Sequence, residues 1–132
     1  MLPLDPNDPR PLYVQIMDEV RRGILRRSLQ ADDPLPSVRE LARDLRVNPN
    51  TVQQAYRELE REGLVYVRRG QGTFVSPDVD PAPVREAVLR QLAERFNREA
   101  ARIGLTLEEV VEGIRGVRES RTPPDSHEGD DR

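Results

Sequence analysis

Two strong helix-start signals stand close together in the middle of the sequence, and they constrain the fold more than any other feature. Ser37 and Glu40 form an S-x-x-E capping box, a pair whose side chains bond to free N–H groups at the start of a helix. Asn48 is a favourable N-cap residue, and Pro49 suits the first helical position, where its missing N–H costs nothing. The segment between them therefore has room for one short helix and a tight turn.

The residues that follow complete the order of elements. Apolar spacing predicts helices from Val38 to Leu45 and from Pro49 to about Glu62, with Gly63 as the C-terminal cap. Residues 64–67 and 73–75 are rich in β-branched and aromatic side chains and flank a glycine-containing turn, which predicts a two-stranded hairpin. Helix, turn, helix and hairpin in this order form a winged helix-turn-helix. The side chains predicted to be buried in its two helices are Val38, Leu41, Ala42, Leu45, Val52, Ala55, Tyr56 and Leu59.

Regular apolar spacing continues on both sides of this unit. Apolar residues at every fourth position from Leu12 to Ile24 predict an amphipathic helix over residues 12–27. Downstream, apolar spacing predicts two further helices. Thr106 and Glu109 form a second capping box at the start of the second of them. The expected fold class is mainly α. The predicted organisation is an extended N-terminal arm over 1–10, a winged helix-turn-helix over 11–76, a linker over 77–83, a two-helix region over 84–119 and a disordered acidic tail over 120–132.

Composition excludes several kinds of site. The chain has no cysteine and one histidine, His127, so neither disulfides nor a zinc site of the usual Cys/His kind is expected. No apolar run approaches the roughly 20 residues that cross a bilayer, and the N-terminus does not have the pattern of a signal peptide. We therefore expect a cytoplasmic protein without a cofactor, and no contact with a membrane.

The charge distribution does not by itself indicate nucleic acid. Residues 1–76 hold 12 Arg against 11 Asp and Glu, a balance of +1, and residues 77–132 hold 9 Arg against 13, a balance of −4. Any positive surface must therefore come from the placement of the arginines rather than from their total.

Short polar side chains cluster at the start of the second helix of the predicted helix-turn-helix. Asn48, Asn50, Thr51, Gln53 and Gln54 stand where a helix entering the major groove presents residues to base edges. Asn and Gln can bind adenine in a bidentate manner, and Thr can offer hydroxyl or methyl contacts. The alternative is that these residues only cover a solvated helix face. Their position after a capped helix and before a hairpin favours base reading.

Arginines and glycines flank this edge. Arg39, on the first turn of the preceding helix, is expected to bind a phosphate, whereas Arg43 either does so or pairs with a neighbouring carboxylate. Arg68 and Arg69 precede the hairpin tip and either contact DNA or only charge an edge strand against aggregation. The predicted DNA-binding residues are Ser37, Arg39, Arg43, Asn48, Asn50, Thr51, Gln53, Gln54, Arg68, Arg69, Gly70, Gln71, Gly72 and Thr73.

The two C-terminal helices carry apolar stripes that a short appendage cannot bury within itself. Burial against a second copy of the chain would account for them, which predicts a homodimer. The predicted dimerisation residues are Val88, Leu92, Phe96, Leu107, Val110, Val111 and Ile114.

Residues 11–75 resemble the DNA-binding domain of the GntR family of bacterial transcription regulators. The resemblance rests on PLYVQI, LPS-x-R, LA-x-x-L, V-N-x-x-T-V, L-x-x-EG and G-x-GTFV, which occur in the family's order and spacing. The short C-terminal region is similar to that of the YtrA-like branch, which implies dimerisation through two helices and a repressor, often of a transporter operon. The resemblance also implies backbone contacts by Arg39, Thr51 and Gly72 and base reading by Asn50 and Gln53.

The sequence departs from the family pattern at two places. Asp32 stands where relatives commonly have a glycine, which places another negative charge near DNA. Pro49 and Gln53 replace arginines that many relatives carry at the start of this helix, so guanine recognition is not transferred to these positions.

Three classes of function are open to a chain with these features, and the sequence favours one of them. The favoured one is a homodimeric, sequence-specific DNA-binding repressor with a palindromic operator. The second is a protein-interaction module, because a winged helix does not fix function. An enzyme is disfavoured, since no convergent set of titratable groups or phosphate loop is present. A chain of this size has little room for an enclosed effector cavity. The alternatives are a small-molecule effector bound between the two C-terminal regions and a DNA-binding unit that is controlled only by its own abundance, and the sequence identifies no effector.

Overall fold

The computed structural model describes residues 4–120. Over this range the chain forms five helices and one two-stranded antiparallel sheet, which confirms the predicted mainly α winged helix-turn-helix with a helical C-terminal region. The elements are α1 (Leu12–Leu25), α2 (Val38–Leu45), α3 (Pro49–Arg61), β1 (Val65–Arg68), β2 (Gly72–Val75), α4 (Pro81–Arg102) and α5 (Leu107–Ser120).

One hydrophobic core holds the winged helix together. Ile16 and Val20 of α1, Leu41 of α2, and Val52 and Leu59 of α3 are at most 2% exposed. These three helices therefore bury most of the apolar stripe that their spacing predicted; Leu12 of α1 is exposed, and α2 places Val38 and Leu45 at the edge of the core. The strands add Val65 and Val75, which pair with each other at the base of the hairpin and are each 2% exposed.

The first helix ends earlier than predicted. It stops at Leu25 rather than Arg27, because Arg27 adopts a left-handed backbone conformation with φ 63°. The chain then folds back so that the Leu29 N–H bonds to the Gly23 carbonyl at 3.0 Å, and Leu29 covers Gly23 closely. A Cβ atom at position 23 would lie 2.7 Å from Leu29 Cδ1, so only glycine fits there without displacement.

Part of the predicted N-terminal arm is bound to α1. Arg10 pairs with Asp8 and with Asp18, a buried carboxylate on α1, and Gln15 donates to the Arg10 carbonyl at 3.0 Å. The hydrogen bond to Asp8 and the pairing with Asp18 together raise the pKa of Arg10 despite its partial burial. The described part of the arm is thus a fixed layer on the helix.

The predicted linker over 77–83 is longer than the one observed, because α4 begins at Pro81. Asp80 accepts a hydrogen bond from the Ala82 N–H at 3.0 Å, as a helix cap does. Pro81 and Pro83 lie in the first turn, where backbone N–H groups have no partner within the helix and proline is therefore tolerated.

The C-terminal bounds also differ from the prediction. Ser120 belongs to α5 and donates to the Val117 carbonyl, so it is not part of a tail. The rest of the predicted disordered tail, residues 121–132, lies outside the described residues.

The described chain divides into two compact units between Leu89 and Arg90, within α4 rather than at the predicted linker. The first unit contains the winged helix and the start of α4, whose Val84 is 3% exposed and belongs to the core. The second contains the rest of α4 and α5, where Thr106 and Glu109 exchange both bonds of the predicted capping box. In the range 4–120, no helix is both long and apolar enough to span a bilayer.

Candidate nucleic-acid interface

The turn between α2 and α3 is closed by local hydrogen bonds. Ser37 Oγ accepts from the Glu40 N–H at 3.1 Å at the start of α2. At its end, Arg46 adopts φ 56°, and the Val47 N–H bonds to the Ala42 carbonyl at 3.0 Å. Asn48 Oδ1 then accepts from the Asn50 N–H at 2.8 Å and starts α3. The sequence signals thus fix where α3 begins, and the Asn48 side-chain oxygen is occupied as a cap, so that its amide N–H groups remain for other contacts.

The two faces of α3 are chemically distinct. Its inward face consists of Val52, Ala55, Tyr56 and Leu59, all buried as predicted. The outward face is polar and accessible. The predicted reading residues Asn50, Gln53 and Gln54 are exposed on it, and Thr51 is half-buried at its border.

Arg57 extends the outward face and was missed by the sequence analysis. It stands four positions after Gln53 and seven after Asn50, a spacing that places all three side chains on one side of a helix. Its side chain is exposed. The same periodicity that identified the buried face could have identified this residue.

Tyr56 fixes the start of α2 against the middle of α3. Its hydroxyl donates to the Pro36 carbonyl at 2.7 Å, directly before the Ser37 cap. Burial, with the nearby Glu40 charge, raises the pKa of Tyr56, so the residue remains a neutral donor. Tyr56 is therefore a core residue, as the sequence indicated, and not a base-stacking one.

Several arginines of the winged helix-turn-helix have no ionic partner among the described residues. Arg39, Arg43, Arg46, Arg57 and Arg69 are exposed, and no carboxylate of residues 4–120 lies within 4.0 Å of their guanidinium groups. The alternative in which Arg43 pairs with Glu40 or Asp44 is therefore not realised. Unpaired guanidinium groups are available for phosphate, which they can bind in a bidentate manner.

The predicted hairpin is present and has a tight tip. Tyr66 pairs with Phe74 and Arg68 with Gly72. The Gln71 N–H closes the turn on the Arg68 carbonyl at 3.0 Å. Gly70 adopts φ 73° and Gly72 φ 120°, conformations that side-chain-bearing residues rarely adopt, and no atom lies within 4 Å of where their Cβ atoms would stand. The predicted tip residues Arg69, Gly70, Gln71 and Gly72 are exposed, and Thr73 is half-buried.

Arg68 differs from Arg69 because its guanidinium contacts other side chains of the hairpin and of the segment before α2. It lies 4.3 Å from the Phe74 ring centroid and 5.2 Å from that of Tyr66, bonds to the Tyr66 hydroxyl, and has Nη2 3.5 Å from Asp32 Oδ1. The sequence grouped Arg68 with Arg69 as equivalent wing cations. In the structure they have different surroundings, since Arg69 is unpaired.

The segment 32–36 connects the hairpin to α2. The Asp32 N–H bonds to the Val75 carbonyl at 2.9 Å, and the Val75 N–H bonds to the Asp33 carbonyl at the same distance. The Leu35 N–H bonds to the Thr73 carbonyl at 2.8 Å. This segment is therefore held against β2, to which Pro34 forms an isolated bridge at Phe74, and it leads directly into the Ser37 cap. These backbone hydrogen bonds fix the chain before α2 to the hairpin.

Comparison with known proteins agrees with this arrangement. Residues 12–75 match the family described as bacterial regulatory proteins, gntR family. Over 107 residues the chain is 42% identical to the HTH-type transcriptional regulator YhcF of Bacillus subtilis, covering 80% of this chain and 88% of YhcF. The chain belongs to the gntR family. It is also 35% identical over 119 residues to the HTH-type transcriptional repressor YtrA of Bacillus subtilis, covering 89% of this chain and 92% of YtrA.

A solved structure of a GntR family transcriptional regulator from Listeria monocytogenes has a similar fold. It superposes with a TM-score of 0.65 at 34% sequence identity, covering 83% of this chain and 97% of the Listeria chain. The gntR-family proteins are DNA-binding transcription regulators and not enzymes, so this chain is a DNA-binding regulator. We propose the exposed polar edge of α3, together with the unpaired arginines of the winged helix, as the surface for that function.

The second unit carries all but one of the residues predicted for dimerisation. Leu92 is 42% exposed, Phe96 46% and Ile114 52%, and no residue of α5 is buried. Leu107 and Val111 are likewise exposed, whereas Val110 is half-buried; Val88, which lies in the first unit, is also half-buried. The exposed members of this set are therefore only partly covered by residues 4–120 of one chain.

Proposed function

We propose that this gntR-family chain is a cytoplasmic repressor that acts as a homodimer on a palindromic operator, in a transporter operon. The observation that carries the proposal is the exposure of large apolar side chains along α4 and α5 of the second unit. Leu92, Phe96, Ile103, Leu107 and Ile114 are each more than 40% exposed. Full burial of such a side chain stabilises by about 1.5–3 kcal/mol, and the part of that value that belongs to the exposed area favours a covered arrangement over the open one.

A second copy of the same unit is the partner that fits this face. Homodimer interfaces are more apolar than other interfaces, and a two-fold dimer uses the same patch on both subunits. The apolar residues on α4 and α5 supply such a self-complementary patch.

Dimerisation accounts for how a short reading edge could select a site. The outward face of one α3 spans only a few base pairs, from Asn50 to Arg57. Two copies related by a two-fold axis would read two inverted half-sites separated by about one helical turn. A palindromic operator follows from this symmetry.

Repression is the direction of control favoured by similarity. YtrA, over 92% of whose length the chain aligns, is a transcriptional repressor. A dimer bound at its operator would act by occluding the promoter. The transporter operon rests on the resemblance to the YtrA-like branch.

Analytical ultracentrifugation and gel-shift titration of the intact protein test the proposal. The wild-type protein is expected to sediment as a dimer and to shift duplex DNA from its own upstream region as a single dimeric complex. Phe96→Asp and Ile114→Asp should each sediment as monomers and bind a palindromic duplex at least tenfold more weakly. Glu94→Gln, on the same helix, is the matched control and should remain dimeric.

The outcome that contradicts the homodimer is a wild-type protein that sediments as a monomer at micromolar concentration. Transcription from the upstream promoter in a purified system separates repression from activation. Addition of the protein should lower the yield of transcript, and an increase would show that the direction of control is wrong.

A further inference from the structure

Asp32 occupies a conformation that costs it backbone energy. Its φ of 64° lies in the left-handed region, which residues other than glycine, asparagine and aspartate rarely adopt. Its N–H is used in the bond to Val75, so its position beside β2 is fixed. The side chain is therefore presented from a rigid point toward the hairpin.

The Asp32 carboxylate meets two hairpin side chains. Its Oδ1 accepts a hydrogen bond from the Tyr66 hydroxyl at 2.5 Å and lies 3.5 Å from Arg68 Nη2. Arg68 also stacks on Phe74, and the Tyr66 and Phe74 rings are stacked with centroids 5.8 Å apart. The guanidinium is thus held on an aromatic surface with an acidic residue at its edge.

The ion pair between Asp32 and Arg68 is weak enough for a DNA phosphate to replace Asp32 as the partner of Arg68. The side chains are 44% and 53% exposed, and solvent-exposed ion pairs contribute only about 0.2–1 kcal/mol. A DNA phosphate is an alternative anion for the same guanidinium. The Asp32 charge would at the same time repel any phosphate that approaches the hairpin.

We propose that Asp32 limits the affinity of the wing for DNA by holding Arg68 in an internal ion pair that substitutes for a DNA phosphate. The proposal rests on the DNA-binding function of the chain. While Arg68 is paired with Asp32, the two charges cancel, and Arg68 displaces no counterion from DNA. Arg69, which has no such partner in the described part of the chain, remains the hairpin cation that is free to contact the backbone.

The test uses Asp32→Asn, Arg68→Gln and the double variant in the full chain. Asparagine tolerates the same backbone conformation and keeps an oxygen for the Tyr66 hydroxyl, so the substitution removes the charge alone. Fluorescence anisotropy would measure binding to a labelled duplex of the upstream promoter region and to an unrelated duplex, each at several salt concentrations. Asp44→Asn is the matched control, because Asp44 is an exposed carboxylate of the same winged helix without a partner among the described residues.

Asp32→Asn is expected to tighten binding about two- to fivefold on both duplexes, since an exposed pair is released. The salt dependence should steepen by roughly 0.9 in log–log slope, the value for one more neutralised phosphate. In the Arg68→Gln background the same substitution should have no more effect than Asp44→Asn. Thermal melts of all variants check that they fold.

Three outcomes would overturn the proposal. Weaker binding by Asp32→Asn would mean that the carboxylate orients Arg68 for DNA rather than withholding it. An undiminished gain in the Arg68→Gln background, or an equal gain from Asp44→Asn, would mean a general charge effect. Failure of the wild-type protein to bind either duplex would overturn the DNA-binding function and this proposal with it.

Discussion

Tyr56 on α3 donates a hydrogen bond to the carbonyl of Pro36, 2.7 Å away, and so fixes the first turn of α2 against α3. The residue next in sequence to that carbonyl is Ser37, which caps α2. Two positions further on stands Arg39, the residue predicted to bind a phosphate. The hydroxyl of Tyr56 therefore helps to set the distance between Arg39 and the outward face of α3, the two places predicted to contact DNA.

Removal of this hydroxyl should destabilise the fold. Tyr56→Phe leaves the Pro36 carbonyl without its partner, and we expect the free energy of unfolding to fall by about 1–2 kcal/mol. Urea denaturation followed by circular dichroism measures the change. Tyr13→Phe, at a half-buried tyrosine of α1, is the control and should cost less.

The same tyrosine predicts a pH dependence. Because burial raises its pKa above the ordinary value of 10.0, the folded state holds the proton more tightly than the unfolded state. Its contribution to stability is therefore complete below pH 10 and is lost as the pH rises through the folded value. Tyr56→Phe should show a shallower loss of stability above pH 10, and parallel curves for the two proteins would contradict this.

Arg39 should contribute to the binding of any DNA duplex, whatever its base sequence. Arg39→Ala removes an unpaired guanidinium, and we expect weaker binding to specific and unrelated duplexes alike, with a log–log salt slope smaller by roughly 0.9. Anisotropy titrations at several salt concentrations measure both quantities. Arg85→Ala, an exposed arginine on α4, should change neither. An unchanged affinity and slope for Arg39→Ala would show that α2 does not face the phosphates.

Gln53 and Arg57 on the outward face of α3 should differ in what they determine. Gln53→Ala is expected to change base preference at one position of each half-site, by about 1–3 kcal/mol of discrimination. Arg57→Ala is expected to weaken all duplexes and flatten the salt dependence. Binding to a library of operator variants separates the two effects. Equal losses on every sequence for Gln53→Ala would rule out base reading by this residue.

Gly23 and Gly116 should respond differently to an added methyl group. Gly23→Ala places a Cβ 2.7 Å from Leu29 Cδ1, so the half-buried Leu29 side chain has to move, and this cost offsets the gain in helix propensity. Gly116→Ala on α5 meets nothing within 4 Å of its Cβ position, and better helix propensity should stabilise it by up to about 1 kcal/mol. Chemical denaturation of both variants measures the difference. If Gly23→Ala stabilised the protein as much as Gly116→Ala does, the close contact with Leu29 would be refuted.

Local signals account for most of what the sequence predicted correctly. The starts of α2 and α3 follow from caps whose partners are two or three residues away, Ser37 with Glu40 and Asn48 with Asn50. The core of the winged helix follows from periodicity. Such features require no knowledge of distant contacts, and for that reason the winged helix-turn-helix could be predicted almost completely.

The candidate site was predicted less completely because part of it depends on tertiary contacts. The environment of Arg68 is set by Asp32, which is far away in sequence, and no spacing rule connects the two. The start of α4 at Pro81 differs from the prediction because proline usually breaks a helix, although the first turn of a helix accepts it. Arg57 depends on no tertiary contact: its spacing from Asn50 already places it on the outward face of α3, so the sequence alone could have identified it.

Val84 has a consequence for how such a chain can evolve. This side chain of α4 lies in the winged-helix core, together with Ile16 and Val65, although it follows the hairpin in sequence. Exchange of the C-terminal region by recombination at the end of β2 would remove Val84 and open the core to solvent. A C-terminal region joined after β2 must therefore supply an apolar side chain in the place of Val84 if the winged-helix core is to stay closed.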